Sequence, residues 1–268
     1  MRILFLGDII GLSGCEAISQ HLPKQIKRNK IDFVIVNGEN SAEKGMGITE
    51  NIANNLFDSG VNVITSGNHI WDQKETATHI EKEDRLLRPY NSFYPTPGKG
   101  FMIYTLDNGY KIGVLNLMGN IFMKKSENAF NAAKKFLEKN VLKKDYDFLV
   151  LDFHAETSSE KMAMGHFFDS KATLVVGTHT HVPTNDARIL EKGTAYQTDA
   201  GMTGNYNSVM GYDKNIFIKK FLKEDVKKNF PKSDNISLCG VIVDADFNTG
   251  LAKNIKNFIY GGELKNFN

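Results

Sequence analysis

An α/β fold of two mixed β-sheets packed face to face, with helices outside, is what this 268-residue chain predicts. Three observations carry that expectation. Up to about residue 80, apolar runs alternate with amphipathic stretches over short connections, as in parallel strands joined by crossover helices. Further along, paired apolar runs flank tight polar turns, as in antiparallel hairpins. No linker, repeat or composition break interrupts the chain, so residues 1–268 read as a single domain.

The elements follow in order. Arg2 to Leu6 is a short apolar strand closed by Gly7 and Asp8, and a helix runs from near Gly14 to Arg28 on the stripe Ala17, Ile18, His21, Leu22, Gln25 and Ile26. Phe33 to Val36 is the next strand, Thr49 and Glu50 open a helix that ends at Gly60, and Val61 to Ile64 is the third strand. A further helical stretch follows Trp71 into the charge cluster from Glu81 to Arg85, and residues 86–100, with Pro89, Pro95 and Pro97, form a loop. Phe101 to Leu106 and Tyr110 to Asn116 make a hairpin about Asn108-Gly109. Helices from Ala129 to Asn140 and Ser158 to Phe168 enclose the strand Phe148 to Phe153, and Ala172 to Val176 is another buried strand. Ala187 to Leu190 pairs with Thr194 to Gln197, and Ser237 to Asp244 pairs with Ala252 to Phe258. Between these pairs, Thr198 to Asp213 is a long polar, glycine-rich loop, a kind of segment that often carries function.

Composition narrows the function classes. With 41% hydrophobic residues and a net charge of +2, the chain is a soluble globular protein without a charge bias toward nucleic acid or membrane. Lysine groups such as Lys24 to Arg28 and Lys219-Lys220 fit solvated helix faces. Cys15 and Cys239 form no metal or disulfide pattern and read as free thiols in a reducing compartment. No apolar run approaches the ~18 residues that span a bilayer, and the stretch after Met1 is too short for a signal peptide, so a cytoplasmic location is expected.

Chemistry concentrates where strands end. The apolar run Ala172 to Val176 leads into Gly177-Thr178-His179-Thr180-His181; in extended backbone the two imidazoles point one way and can address a common point. A polar turn with two solvated histidines is the bland alternative. The same pattern recurs at Asp8, at Glu39 and Asn40, at Asn68 and His69, and at His154, each just past an apolar run. Open α/β sheets bind ligands at that edge. Asp8, Glu39, Asn40, Asn68, His154, His179 and His181 exceed the roughly four ligands of one zinc ion and suit two ions sharing a carboxylate. Oxygen and imidazole donors without thiolate fit manganese, iron, zinc or nickel. Such paired ions, ~4 Å apart, clamp the oxygens of a phosphoryl displacement. His69, one step past Asn68, is suited to face a substrate and give up a proton. His21, His79 and His166 lie on helices and read as structural or surface residues.

These motifs resemble the calcineurin-like metallophosphoesterases, with departures: Ile10 stands where D-x-H expects histidine, Gly38-Glu39-Asn40 where a bridging aspartate is expected, and Gly67-Asn68-His69-Ile70 lacks a final acid. The same departures are similar to one bacterial branch, the YmdB-type phosphodiesterases, over most of the chain. Gly7-Asp8-Ile9-Ile10-Gly11, Asn37-Gly38-Glu39-Asn40 and Thr198-Asp199-Ala200-Gly201-Met202-Thr203-Gly204 carry that likeness, with Asn205 in place of an expected proline. The resemblance implies a metallophosphoesterase-like layered sandwich. It implies Asp8, Glu39, Asn40 and His181 around one ion, and Glu39, Asn68, His154 and His179 around the other. His69 would be the proton donor, two iron ions the cofactors, and a metal-bound hydroxide the nucleophile. The implied reaction is hydrolysis of nucleoside 2′,3′-cyclic phosphates to 3′-phosphates, with a small-molecule diester as the partner, no stable nucleic-acid or membrane partner, and a homo-oligomer compatible with the chain. The rival classes are a phosphomonoesterase, an RNA-processing nuclease with a basic groove, and a regulatory scaffold protein with non-catalytic metals. Trp71, Tyr206 and Tyr212 are the aromatic candidates for stacking a base.

Overall fold

Side chains alternate along the first strands so that Ile3, Phe5, Phe33 and Ile35 face one way while Leu4, Leu6, Val34 and Val36 face the other, and all are buried. A sheet buried on both faces needs a layer on each side. In the computed structural model, which describes residues 1–93, 95–226 and 235–264, the chain runs β1 (Arg2–Leu6), β2 (Asp8–Ile9), α1 (Gly11–Asn29), β3 (Phe33–Asn37), α2 (Glu50–Asp58), β4 (Val63–Thr65) and α3 (Thr76–His79). It continues through β5 (Phe101–Thr105), β6 (Lys111–Met118), α4 (Ala129–Lys139), β7 (Phe148–His154), α5 (Ser158–Phe167), β8 (Leu174–Thr178), β9 (Arg188–Ile189) and β10 (Ala195–Gln197). Then come β11 (Met202–Asn205), α6 (Lys214–Phe221), β12 (Ile236–Ala245) and β13 (Ala252–Tyr260).

One sheet has the order β2-β11-β12-β1-β3-β4, with β13 paired to β12; the other has the order β5-β6-β7-β8-β10-β9. Both are mixed. β1, β3 and β4 run parallel, as do β6, β7, β8 and β10, while β5, β9, β12 and β13 each pair antiparallel with a neighbour. Ile3, Phe5, Ile35 and Val241 of the first sheet meet Ile112, Val114, Val150 and Val176 of the second in a dry interior. Leu4, Leu6, Val34 and Val36 pack on Ala17, Ile18 and Leu22 of α1 and Leu56 of α2. Leu115, Leu149 and Leu151 pack on Phe136 of α4 and Met164 of α5. Each fully buried side chain of this kind contributes about 1.5–3 kcal/mol of transfer free energy. The result is helix, sheet, sheet, helix, the expected layered sandwich.

Local details differ from the sequence reading. α1 starts at Gly11 rather than Gly14, and the stretch after Trp71 yields only the short α3. The polar loop from Thr198 conceals β11, which pairs parallel to β2 through Met202↔Asp8. Four residues that include two polar side chains and a glycine carry no periodic signal; their strand character comes from a distant partner. Residue 94 of the 86–100 loop lies outside the described residues. Cys15 and Cys239 are free thiols, and His21 packs edge-on to Tyr260. Among the described residues no helix is long and apolar enough to cross a membrane.

Candidate metal centre

Parallel strands present their carboxyl ends at one rim. β1 leads directly to Asp8, β3 to Glu39 and Asn40, β4 to Asn68 and His69, β7 ends at His154, and β8 delivers His179 and His181. All seven candidate ligands meet there, in two adjoining groups. In the first, His154 Nε2 lies 2.9 Å from Glu39 Oε1, 3.1 Å from Asn68 Oδ1 and 3.1 Å from His179 Nδ1. Donor atoms of Glu39, His154 and His179 lie within 4.8 Å of one another. In the second, His181 Nε2 lies 3.3 Å from Asn40 Oδ1 and 3.9 Å from Asp8 Oδ1.

Hydrogen bonds on the far side of each ring fix where its proton resides. Thr178 Oγ1 donates to Asp152 Oδ1 at 2.7 Å, so at 2.8 Å it accepts from His154 Nδ1. The Glu156 carboxylate, 3.0 Å from His179 Nε2, accepts from that nitrogen. The Met210 carbonyl, 3.2 Å from His181 Nδ1, can only accept. Each imidazole therefore turns its other nitrogen inward, with a lone pair on His179 and His181 and, on His154, a nitrogen that takes either a proton or a metal ion, the arrangement that outer partners impose on metal-ligating histidines. Asn40 Nδ2 donates to the Gly45 carbonyl at 2.8 Å, which leaves Oδ1 facing His181. Asp8 Oδ1 is buried and lacks a hydrogen-bond partner, and Glu39 Oε1, equally buried, is met by His154 Nε2 at 2.9 Å. Their other oxygens are taken by backbone amides: Asp8 Oδ2 by His179 N at 3.0 Å and Glu39 Oε2 by His69 N at 2.9 Å.

Acceptors that face acceptors in a buried site call for a proton or a metal ion between them. The electrostatics report the same demand. Burial lowers the His154 imidazole, but the Glu39 carboxylate outweighs it and holds the group up at about 9. Burial raises Glu39, and the charge and hydrogen bonding of His154 outweigh that and hold it at about 2. Burial, then the charge of His154, lowers His179 to about 3. Burial raises Asp8 against the pull of His181 and His154. A donor set of oxygens and imidazoles, with outer hydrogen bonds already made, fits divalent transition-metal ions that displace the proton of His154. Gly67 makes the approach possible, since a Cβ there would stand 2.2 Å from the His154 ring and 2.4 Å from Glu39 Oε2.

The structure corrects the reading of the histidine pair. His179 and His181 do not sit on extended backbone; their φ angles are +97° and +63°, a left-handed turn just past β8. Trp71 packs against the core, Tyr212 is 8% exposed and stacked on Phe217, and the Tyr206 hydroxyl bonds Met202.

Several residues of the site escaped the sequence. Asp152 is fully buried and accepts from Asn37 Nδ2, Thr65 Oγ1 and Thr178 Oγ1, tying the two sheets together beneath His154; burial pushes its carboxyl up to about 6. Asp72 Oδ2 lies 2.6 Å from His69 Nδ1, a spacing of three residues that offered a signal. Lys124 Nζ donates to the Asn68 carbonyl at 2.7 Å. β6 also ends at this rim, because Met118 pairs with His154, and the segment after it carries Phe122, a residue 88% exposed.

Comparison with known proteins agrees with this architecture. The chain is 42% identical over 260 residues, 97% of each chain, to the 2′,3′-cyclic-nucleotide 2′-phosphodiesterase of Bacillus subtilis. It superposes on a novel phosphatase from Mycoplasma pneumoniae with a TM-score of 0.90 at 33% identity, covering 98% of this chain and 94% of that one. A hypothetical protein from Thermus thermophilus gives 0.89 at 36% identity, covering 98% and 100%. The match to the family described as YmdB-like protein runs from residue 4 to residue 258, and this chain belongs to that family.

Proposed function

We propose that this chain is a metal-dependent phosphoric diester hydrolase that opens nucleoside 2′,3′-cyclic phosphates to 3′-phosphates, working in the cytoplasm as a single domain. The observation that carries this is the set of inward nitrogens on His154, His179 and His181 opposite the buried inner oxygens of Asp8 and Glu39. The name of the Bacillus subtilis relative, at 42% identity, supports the substrate class. Glu39, Asn68, His154 and His179 would hold one ion, and Asp8, Asn40 and His181 the other, with Glu39 shared. Iron fits the family resemblance, and manganese or zinc fits the same donors. When bound, two such ions supply Lewis acidity toward the phosphoryl oxygens and acidify water near neutral pH.

His69 is the proton donor. Asp72 Oδ2 lies 2.6 Å from Nδ1 and orients the ring, which leaves Nε2 for the departing 2′-oxygen. His69 is held against the centre by its own amide on Glu39 Oε2, so ligand and proton donor share one carboxylate. Phe122 supplies a ring face for the base. Its loop is pinned at one end by Gly119 N on the His154 carbonyl (3.0 Å) and at the other by Lys124 on Asn68.

Metal analysis of the purified protein, run together with turnover of 2′,3′-cyclic AMP and 3′,5′-cyclic AMP, tests the assignment. The expected result is about two transition-metal ions per chain and turnover of the 2′,3′ isomer. Turnover that survives exhaustive chelation, or a preference for phosphomonoesters, would contradict it.

A further inference from the structure

A buried ion pair outside the proposed ligand set lies against the histidine turn. Lys161 of α5 is 2% exposed and Asp199 is fully buried, and Lys161 Nζ lies 2.7 Å from Asp199 Oδ2. That same oxygen accepts from Thr180 Oγ1 at 2.6 Å and from Thr180 N at 3.2 Å; Lys161 also donates to Thr180 Oγ1 at 3.4 Å. Asp199 Oδ1 accepts from Gly201 N at 2.8 Å. The Asp199 backbone grips the turn from its far side: its carbonyl accepts from Thr184 N at 3.0 Å, and its amide donates to Thr184 Oγ1 at 2.9 Å.

Thr180 is the residue between the two positive-φ histidines. Non-glycine residues leave that region unless their surroundings hold them there. Two buried carboxylates take consecutive amides of the turn, Asp8 that of His179 and Asp199 that of Thr180. Gly177 lets the clamp close, since a Cβ there would stand 1.9 Å from the Thr198 carbonyl oxygen and 2.7 Å from Lys161 Cδ. Such a clamp would be needless if the histidines had merely to be buried. It has a purpose if one ring must join the first ligand group while the other, two residues on, joins the second.

On the two-cation reading proposed above, we infer that Asp199, neutralised by Lys161, is a positioning residue that holds the His179-Thr180-His181 turn in the form that presents one imidazole to each ion. It touches neither ion nor substrate. Lys161 pairs with the buried carboxylate, and that carboxylate takes both polar hydrogens of Thr180.

The test titrates Mn²⁺ calorimetrically into the chelator-treated full chain of the parent, Thr180→Val, Thr180→Ser and Asp199→Asn, alongside thermal unfolding with and without Mn²⁺. Asp199→Asn is expected to weaken Mn²⁺ binding by about 10–100-fold, the usual cost of losing an outer-shell partner. Thr180→Val, which keeps the amide bond and loses the hydroxyl one, falls between it and the parent, and Thr180→Ser restores parental affinity. Wild-type Mn²⁺ affinity in both Thr180→Val and Asp199→Asn would overturn the inference, even with a lowered melting temperature, because the pair would then serve fold stability alone. If Asp199→Asn does not fold, Thr180→Val against Thr180→Ser decides the matter. A parent protein that takes up no Mn²⁺ would instead overturn the two-cation reading, and the clamp with it.

Discussion

His154 and His179 bring two imidazole nitrogens to 3.1 Å of each other, while Thr178 and Glu156 occupy the opposite edges of the two rings. Either a second proton or a metal ion must lie at His154 Nε2, and the two compete. The competition has a direction in pH.

A histidine held up at about 9, against an ordinary value near ~6.5, contributes stability to the metal-free protein that is complete below pH ~6.5 and lost as pH rises through about 9. Metal affinity moves the opposite way, tightening by about tenfold per pH unit across that window as one proton is displaced. Calorimetric Mn²⁺ titrations at pH 6.5, 7.5 and 8.5, in buffers of different ionisation enthalpy, measure both the affinity and the released proton. A flat affinity would contradict the competition. Glu39, held at about 2, adds stability that is present above its ordinary range near pH ~4.3 and lost as pH falls through about 2.

Removing the proposed proton donor should affect substrates according to their leaving group. His69→Ala is expected to lower kcat on 2′,3′-cyclic AMP by about 10²–10⁴-fold with metal content unchanged. The same variant should lose far less on bis-(p-nitrophenyl) phosphate, whose phenolate departs without a proton. Asp72→Asn, which leaves the ring without its carboxylate partner, should show a smaller loss of the same kind. Equal losses on both substrates would assign His69 to the fold of the site instead.

Phe122 should act on binding alone. Base stacking on an aromatic ring contributes about 1–3 kcal/mol, so Phe122→Ala is expected to raise KM for 2′,3′-cyclic AMP by roughly 5–150-fold with little change in kcat. Phe122→Trp should keep the parental KM, and a base-free ribose 2′,3′-cyclic phosphate should not distinguish parent from Phe122→Ala. A kcat effect in Phe122→Ala would disconnect the ring from base binding.

What the sequence revealed was what local pattern encodes. Asp8, Glu39, Asn68 and His154 each follow a short β-branched or leucine-rich run, and such runs become parallel strands whose carboxyl ends share a rim, so their convergence was legible. The His179-Thr180-His181 turn was legible in composition but not in shape, because nothing local in the sequence marks two left-handed histidines. Their conformation is set by Asp8 and Asp199, far away in sequence. β11 stayed hidden because pairing with β2, not periodicity, makes it a strand. Asp152, Glu156 and Lys161 sat in plain view on β7 and α5 or between them, yet only the folded chain gives them partners near the histidines.

The most direct measurement is anomalous scattering from crystals of the full chain soaked in Mn²⁺. Two peaks about 3.5–4 Å apart are expected. One should be coordinated by Asn68, His154 and His179, the other by Asp8, Asn40 and His181, with the Glu39 carboxylate reaching both. A single peak, or none within reach of Glu39, would contradict a shared two-cation centre.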